Sequence, residues 1–193
     1  MRPSSRVLNR MNSQQQGVVA GFRRLFGRGS VRQDAASIYR RAVQRARQPE
    51  LYTRYGVADT PAGRYEMVAW QVMIELNLLR AEGDRGRRLG QEVVDLMFTD
   101  MDRSLRELGV GDLSVGKEMR KLGETWQARV ELAEKVLPPT SSDPASSGDP
   151  AGLASFLARN AGDGESAADG PGLANDLLET LARLHAERYS SKP

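Results

Sequence analysis

Apolar residues recur along this chain at helical spacing, and no segment alternates in the manner of a strand. The clearest punctuation surrounds residues 60–83. Thr60 suits an N-cap, Pro61 the first helical position, and Gly83 the end of the last turn. At about 100° per residue, Tyr65, Val68, Ala69, Val72, Leu76 and Leu79 fall on one face. Met67, Trp70, Ile74 and Leu78 fall on the opposite face, with polar residues between. A helix apolar on two sides is either central in its domain or keeps one side open as a groove, and central packing is the stronger reading.

The same pattern predicts three further helices around this one. Asp34 as N-cap opens a helix that runs to Arg47 and ends at Pro49, with Ile38, Ala42 and Val43 on a narrow apolar side and arginines over the rest. A loop over Tyr52–Thr60 follows, in which Gly56 allows a positive-φ turn. A third helix spans Arg85 to Leu108 and stops at Gly109. Val94, Phe98, Met101, Leu105 and Leu108 form its stripe, widened by Val93, Leu96 and Met97. Asp102 with Arg106 and Arg103 with Glu107 are four apart and support it from outside. The turn GVGDLSVG leads to a fourth helix with Ser114 as N-cap and no capping box, since Lys117 holds the third position. Val115, Met119, Leu122, Trp126 and Val130 give its apolar side, and Pro138-Pro139 ends it.

Outside these helices the composition shifts. PPTSSDPASSGDP is linker chemistry. A weak helix over 150–160 and a better one over 172–189, with a stripe of Leu173, Leu177, Leu181 and Leu184, complete the chain. Residues 1–33 lack periodicity and read as mostly disordered, apart from a short amphipathic piece, VVAGFRRLFG. The expectation is an all-α fold: a basic arm over 1–33, a compact multi-helix domain over 34–136, and a linker with amphipathic tail helices over 137–193.

Charge changes this picture at one end. The net charge is +3, but residues 1–47 carry eleven arginines against one acid, Asp34, so that segment stands at +10 and the remainder at −7. A basic arm on an acidic body fits anionic surfaces, either phospholipid headgroups or the nucleic acid of a ribosome. Phe22, Arg23, Arg24, Phe26 and Arg28 are the candidate membrane- or ribosome-facing residues, and a merely solvated arm is the plainer alternative. The arm has no regular aromatic interleaving and matches no recognition motif, so no specific DNA site is expected. Its start lacks the apolar run of about 7–15 residues of a secretory signal, while an Arg-rich, acid-poor start also resembles a mitochondrial transit peptide. The most apolar stretch, Met67 to Leu79, is broken by Gln71, Glu75 and Asn77 and falls short of the ~20 residues of a membrane span.

Catalytic chemistry finds little footing. The chain has no cysteine, which excludes thiolate zinc sites and cysteine nucleophiles and fits a reducing compartment. Its one histidine, His185, lies on the tail and forms no triad or multi-histidine site. Asp95, Asp100 and Asp102 lack the Glu-x-x-His pairs of di-iron bundles and the spacing of calcium loops, so a solvated surface with arginine partners explains them better. Ser104 has no nearby base, and neither GVGDLSVG nor GDRG continues into the Lys-Ser/Thr of a P-loop. No enzyme, cofactor or metal is expected. What remains is binding. Met67, Met73, Met97, Met101 and Met119 lie in the long helices, either as ordinary core or, with Trp70, Phe98 and Trp126, as walls of a groove for an apolar helix. The candidate client-binding set is Met67, Trp70, Ile74, Met97, Phe98 and Met101.

Two segments are specific enough to suggest a family. They contain Tyr55-Gly56-Val57, Asp59-Thr60 and Gly63-Arg64, then Asp95-Leu96-Met97-Phe98, Asp100-Met101-Asp102-Arg103, Leu105-Arg106-Glu107 and Gly109-Val110-Gly111-Asp112. Over residues 34–136 the chain resembles the ubiquinol–cytochrome c chaperones, which assist assembly of respiratory complex III. The resemblance implies a non-enzymatic assembly chaperone whose client is newly made cytochrome b, another complex III subunit or an early intermediate. Mitochondrial members work beside the translation machinery with a partner chaperone subunit. It implies a place in the bacterial cytoplasm, peripheral at the inner membrane, or in a eukaryote the matrix side of the mitochondrial inner membrane. The competing reading is a nucleic-acid-, ribosome- or anionic-membrane-binding module that acts through the arginine arm.

Overall fold

A computed structural model describes residues 29–138, 148–164 and 166–189. Among them there is no strand, and the fold is a compact all-α arrangement. The helices are α1 over 29–46, α2 Pro49–Thr53, α3 Pro61–Leu79, α4 Gly83–Glu107, α5 Asp112–Val136, α6 Pro150–Asn160 and α7 Gly170–Tyr189, with a 3-10 turn, Arg80–Glu82, between α3 and α4.

The core is built around α3. Thr60 Oγ1 accepts from the Gly63 amide at 3.2 Å and Pro61 opens the first turn, so the helix starts where its local chemistry dictates. Gly63 also lets that turn sit on the preceding loop, since a Cβ there would lie 2.1 Å from the Ala58 carbonyl oxygen. From Tyr65 to Leu79 only Leu76 escapes burial. The helix is therefore central, with α4, α5 and α7 packed around it. Gly83 at φ +56 turns the chain directly into α4, two residues earlier than the expected start at Arg85.

The N-terminal elements differ from expectation in two ways. Helix α1 already includes residues 29–33, which the sequence assigns to the arm, and Asp34 lies inside it rather than at its cap. Its buried stripe is Ala35, Ile38, Ala42 and Ala46. Pro49, read as a terminator, is also the first residue of α2, a helix of one turn that runs into the start of the expected loop at Tyr52 and Thr53.

The α4–α5 hairpin turns at Gly109, φ +80. Helix α5 begins at Asp112 with Gly111 as N-cap, not at Ser114, because Ser114 N and Val115 N already donate to the Gly111 carbonyl at 2.8 and 3.0 Å.

The largest departure lies at the C-terminal end. Helices α6 and α7 occupy the expected spans, but they are not an appended tail. Leu153, Leu157, Leu173 and Leu177 are fully buried in the same core cluster as Trp70 and Ile74. Two backbone hydrogen bonds tie the loops together, from Ala58 N to Ala161 O and from Asp169 N to Tyr55 O, both 2.8 Å. The Tyr189 hydroxyl donates to the Leu78 carbonyl at 2.7 Å and fixes the end of α7 against α3.

Candidate functional site

The residues proposed for client binding separate into two groups. Met67, Trp70, Ile74 and Met97 are no more than 1% exposed. They line no groove in this state and belong to the core. Trp70 is enclosed by α6, whose Phe156 meets its ring edge-on at 5.8 Å. Phe98 and Met101 are half-buried, packed against the rim of the core from α4. Phe22, Arg23, Arg24, Phe26 and Arg28 of the arm lie outside the described residues.

Phe98 and Met101 begin a strip that runs to the tip of the α4–α5 hairpin. Phe98 meets Trp126 of α5 edge-on at 6.1 Å. Beyond them, Leu105, Val110 and Met119 are half-buried and stand outside the continuous core, while Leu108 at the turn is 65% exposed. The tip is held by charge rather than by apolar packing onto the core. Asp102 accepts from Arg106 at 2.8 Å, the same guanidinium reaches Asp112 across the turn, and Arg103 stands 3.8 Å from Glu107. Exposed pairs of this kind are screened by solvent and hold only weakly. The hairpin tip thus presents apolar side chains outside the continuous core, although Val115 of α5 near it is buried.

Two buried polar clusters, not anticipated from the sequence, lock α3 to its neighbours. Glu66, 1% exposed, accepts from Trp70 Nε1 at 2.8 Å and from Arg129 Nε of α5 at 3.0 Å. The Arg129 guanidinium also lies over the Tyr65 and Phe156 rings, 5.3 and 5.6 Å from their centres. Burial pulls the Arg129 pKa down, but the Glu66 hydrogen bonds and charge outweigh it and the net displacement is upward. In the second cluster, Arg45 of α1 donates to Gln71 and to Glu75, both at 2.7 Å. Arg188 of α7 approaches Glu75 at 3.9 Å and Glu82 at 3.6 Å. The signal was present in α3 itself: polar residues between two apolar faces of a central helix must be buried and must find partners. The arginines of α1, expected to be solvated, include one of those partners.

Asp100 likewise does more than coat a surface. It accepts from the Tyr39 hydroxyl of α1 at 2.9 Å and pairs with Arg103. Tyr39, Tyr52, Tyr65 and Tyr189 are all displaced above the ordinary phenol value of 10.0, chiefly by burial, and for Tyr39 next by Asp100. All four hydroxyls donate a hydrogen bond that ionisation would abolish. A phenol whose folded pKa exceeds its unfolded value adds stability that is complete below the unfolded value and lost as pH rises. Arginine stays charged throughout. Stability should therefore be level near about pH 8 and fall as pH climbs past about 10. Urea midpoints across that window test this, with Tyr39→Phe expected to flatten the fall.

Among the described residues no group of three or more His, Asp or Glu could hold a metal ion, and His185 packs its ring 4.9 Å from that of Tyr189. No described helix is long and apolar enough to cross a membrane.

The sequence profile described as Ubiquinol-cytochrome C chaperone matches residues 53–190, from the end of α2 through α7. The match starts later than the resemblance read over 34–136 and extends through both C-terminal helices. No curated protein matches the sequence. A solved structure, the crystal structure of the Cbp3 homolog from Brucella abortus, is similar, with 32% sequence identity and a TM-score of 0.68 over 87% of this chain and 88% of that one. With a profile that spans most of the chain and a fold that follows the same course, this chain belongs to the ubiquinol–cytochrome c chaperone family.

Proposed function

We propose that the chain acts as a non-enzymatic assembly chaperone for complex III and holds an apolar segment of a newly made membrane subunit, with cytochrome b as the client. The observation that carries the site is the α4–α5 tip, where Leu108 is 65% exposed and half-buried Met101, Leu105 and Met119 stand nearby in the two helices. Methionine and leucine offer an adaptable apolar face to a client helix. Phe98 and Met101 stay in the proposed surface. Met67, Trp70, Ile74 and Met97 serve it from beneath, as the core that positions α4.

Capture of a cytochrome b transmembrane peptide by the full chain tests the site. Met101→Glu and Leu105→Glu should weaken capture by about tenfold, the loss of one interface anchor of about 1.4 kcal/mol, with little change in melting temperature. Ile74→Glu should instead unfold the protein, because a charge there would be buried without a partner. Undiminished capture by both tip variants would remove the strip as the client surface.

A further inference from the structure

Helices α1, α4 and α7 leave between them a cavity of about 190 Å³ that the chaperone reading does not use. Three arginines, one from each helix, line it: Arg41, Arg85 and Arg188. Asp34 and Ser37 stand at its side, while buried Ile38 and Leu89 supply its apolar lining. The acids nearby do not saturate these cations. Asp34 is taken by Arg85 at 2.9 Å, and Glu82 also pairs with Arg85. Arg188 stands 3.6 Å from Glu82 and 3.9 Å from Glu75, and Glu75 is already held by Arg45. Arg188 Nη1 is sealed from solvent and makes no hydrogen bond, with Glu75 Oε2 3.9 Å away, so its guanidinium is incompletely satisfied by the protein. Arg41 is exposed and forms no ion pair among the described residues.

Guanidinium groups converging from separate elements suit an oxyanion with several acceptor oxygens, and phosphate fits this best. A cavity of about 190 Å³ is smaller than the ~300 Å³ at which drug-sized pockets begin, so it takes a headgroup rather than a whole cofactor. We propose that this cavity binds a single phosphate group, held by Arg41 and Arg188 with the Ser37 hydroxyl as a further donor and the attached carbons against Ile38 and Leu89. The phosphate belongs to a free phosphate ester or to an anionic lipid headgroup.

The test uses the full chain and sn-glycerol 3-phosphate, followed through the arginine side-chain N–H resonances. Saturable shifts of the Arg41 and Arg188 signals are expected. Ser37→Phe, which fills the cavity without changing charge, and Arg41→Gln should each weaken binding about tenfold, as for loss of one charge-assisted contact. Arg40→Gln removes the same charge from the same helix outside the cavity, and should bind like the parent. Flotation with phosphatidylcholine vesicles containing phosphatidylglycerol then separates the two sources. If Arg41→Gln floats less than Arg40→Gln, the phosphate is a lipid headgroup; if both float alike while the titration still distinguishes them, it is a free ester. Absence of saturable shifts, or equal weakening by Arg40→Gln and Arg41→Gln, would overturn the site.

Discussion

Glu66→Leu is expected to destabilise the chain by about 3–5 kcal/mol, the cost of leaving one member of a buried ion pair without its partner. The Arg129 side chain is only 10% exposed and would lose its carboxylate while remaining enclosed between Tyr65 and Phe156. Trp70 Nε1 would lose its acceptor as well. Glu66→Gln keeps the shape and one acceptor, so its loss should be smaller. The double variant Glu66→Leu/Arg129→Leu removes both charges together and should recover much of the loss, because an apolar pair of similar volume often replaces a buried ion pair at little cost. Urea denaturation of the parent, Glu66→Leu, Arg129→Leu and the double variant gives the coupling energy directly. If the two single losses simply add in the double variant, the pair does not act as a unit and α3, α5 and α6 are joined by packing alone.

The legible parts of this fold are those encoded over a few residues. Thr60 and Pro61 mark the start of α3 through a side-chain acceptor and a fixed φ, each acting within one turn, whereas α3 ends at Leu79 and the positive φ of Gly83 serves the turn into α4 instead. The i,i+4 pairs on α4 form as spacing requires. Helix α2 escaped because five residues carry no period, and Pro49 can end one helix while opening the next. The start of α5 moved to Asp112 because Gly111 adopts the extended cap conformation that a search for side-chain caps overlooks.

Tertiary partners were hidden for a different reason. A leucine stripe on α7 says that one face is covered but not by what. The second apolar face of α3 could therefore be read as a groove, although α6 and α7, coming from about eighty residues further along the chain, cover part of it. The polar residues between the faces held the missing clue. Glu66 and Glu75 each require a cation, and α5 and α1 supply Arg129 and Arg45.

Truncation after Pro138 is expected to abolish cooperative folding, although the sequence pattern alone marks 34–136 as the domain. Loss of α6 and α7 would remove Leu153, Leu157, Leu173 and Leu177, each at most 1% exposed, and lay open the parts of the core they cover. Burial of one such leucine is worth about 1.5–3 kcal/mol, whereas a whole domain is stable by only about 5–15 kcal/mol. The same cut removes Phe156 from Trp70 and Arg129, Arg188 from Glu75, and the backbone acceptor of Ala58. The truncated chain should keep helical circular dichroism in part but melt without a sharp transition and bind a hydrophobic dye, as a state with lost packing does. A weaker lesion separates docking from mere presence: Leu157→Asp in the full chain should produce the same loss through an unpaired charge in the core. A sharp melting transition of the truncated chain near that of the parent would instead make 34–136 the autonomous unit, and α6 and α7 a cover that can leave α3 without unfolding it.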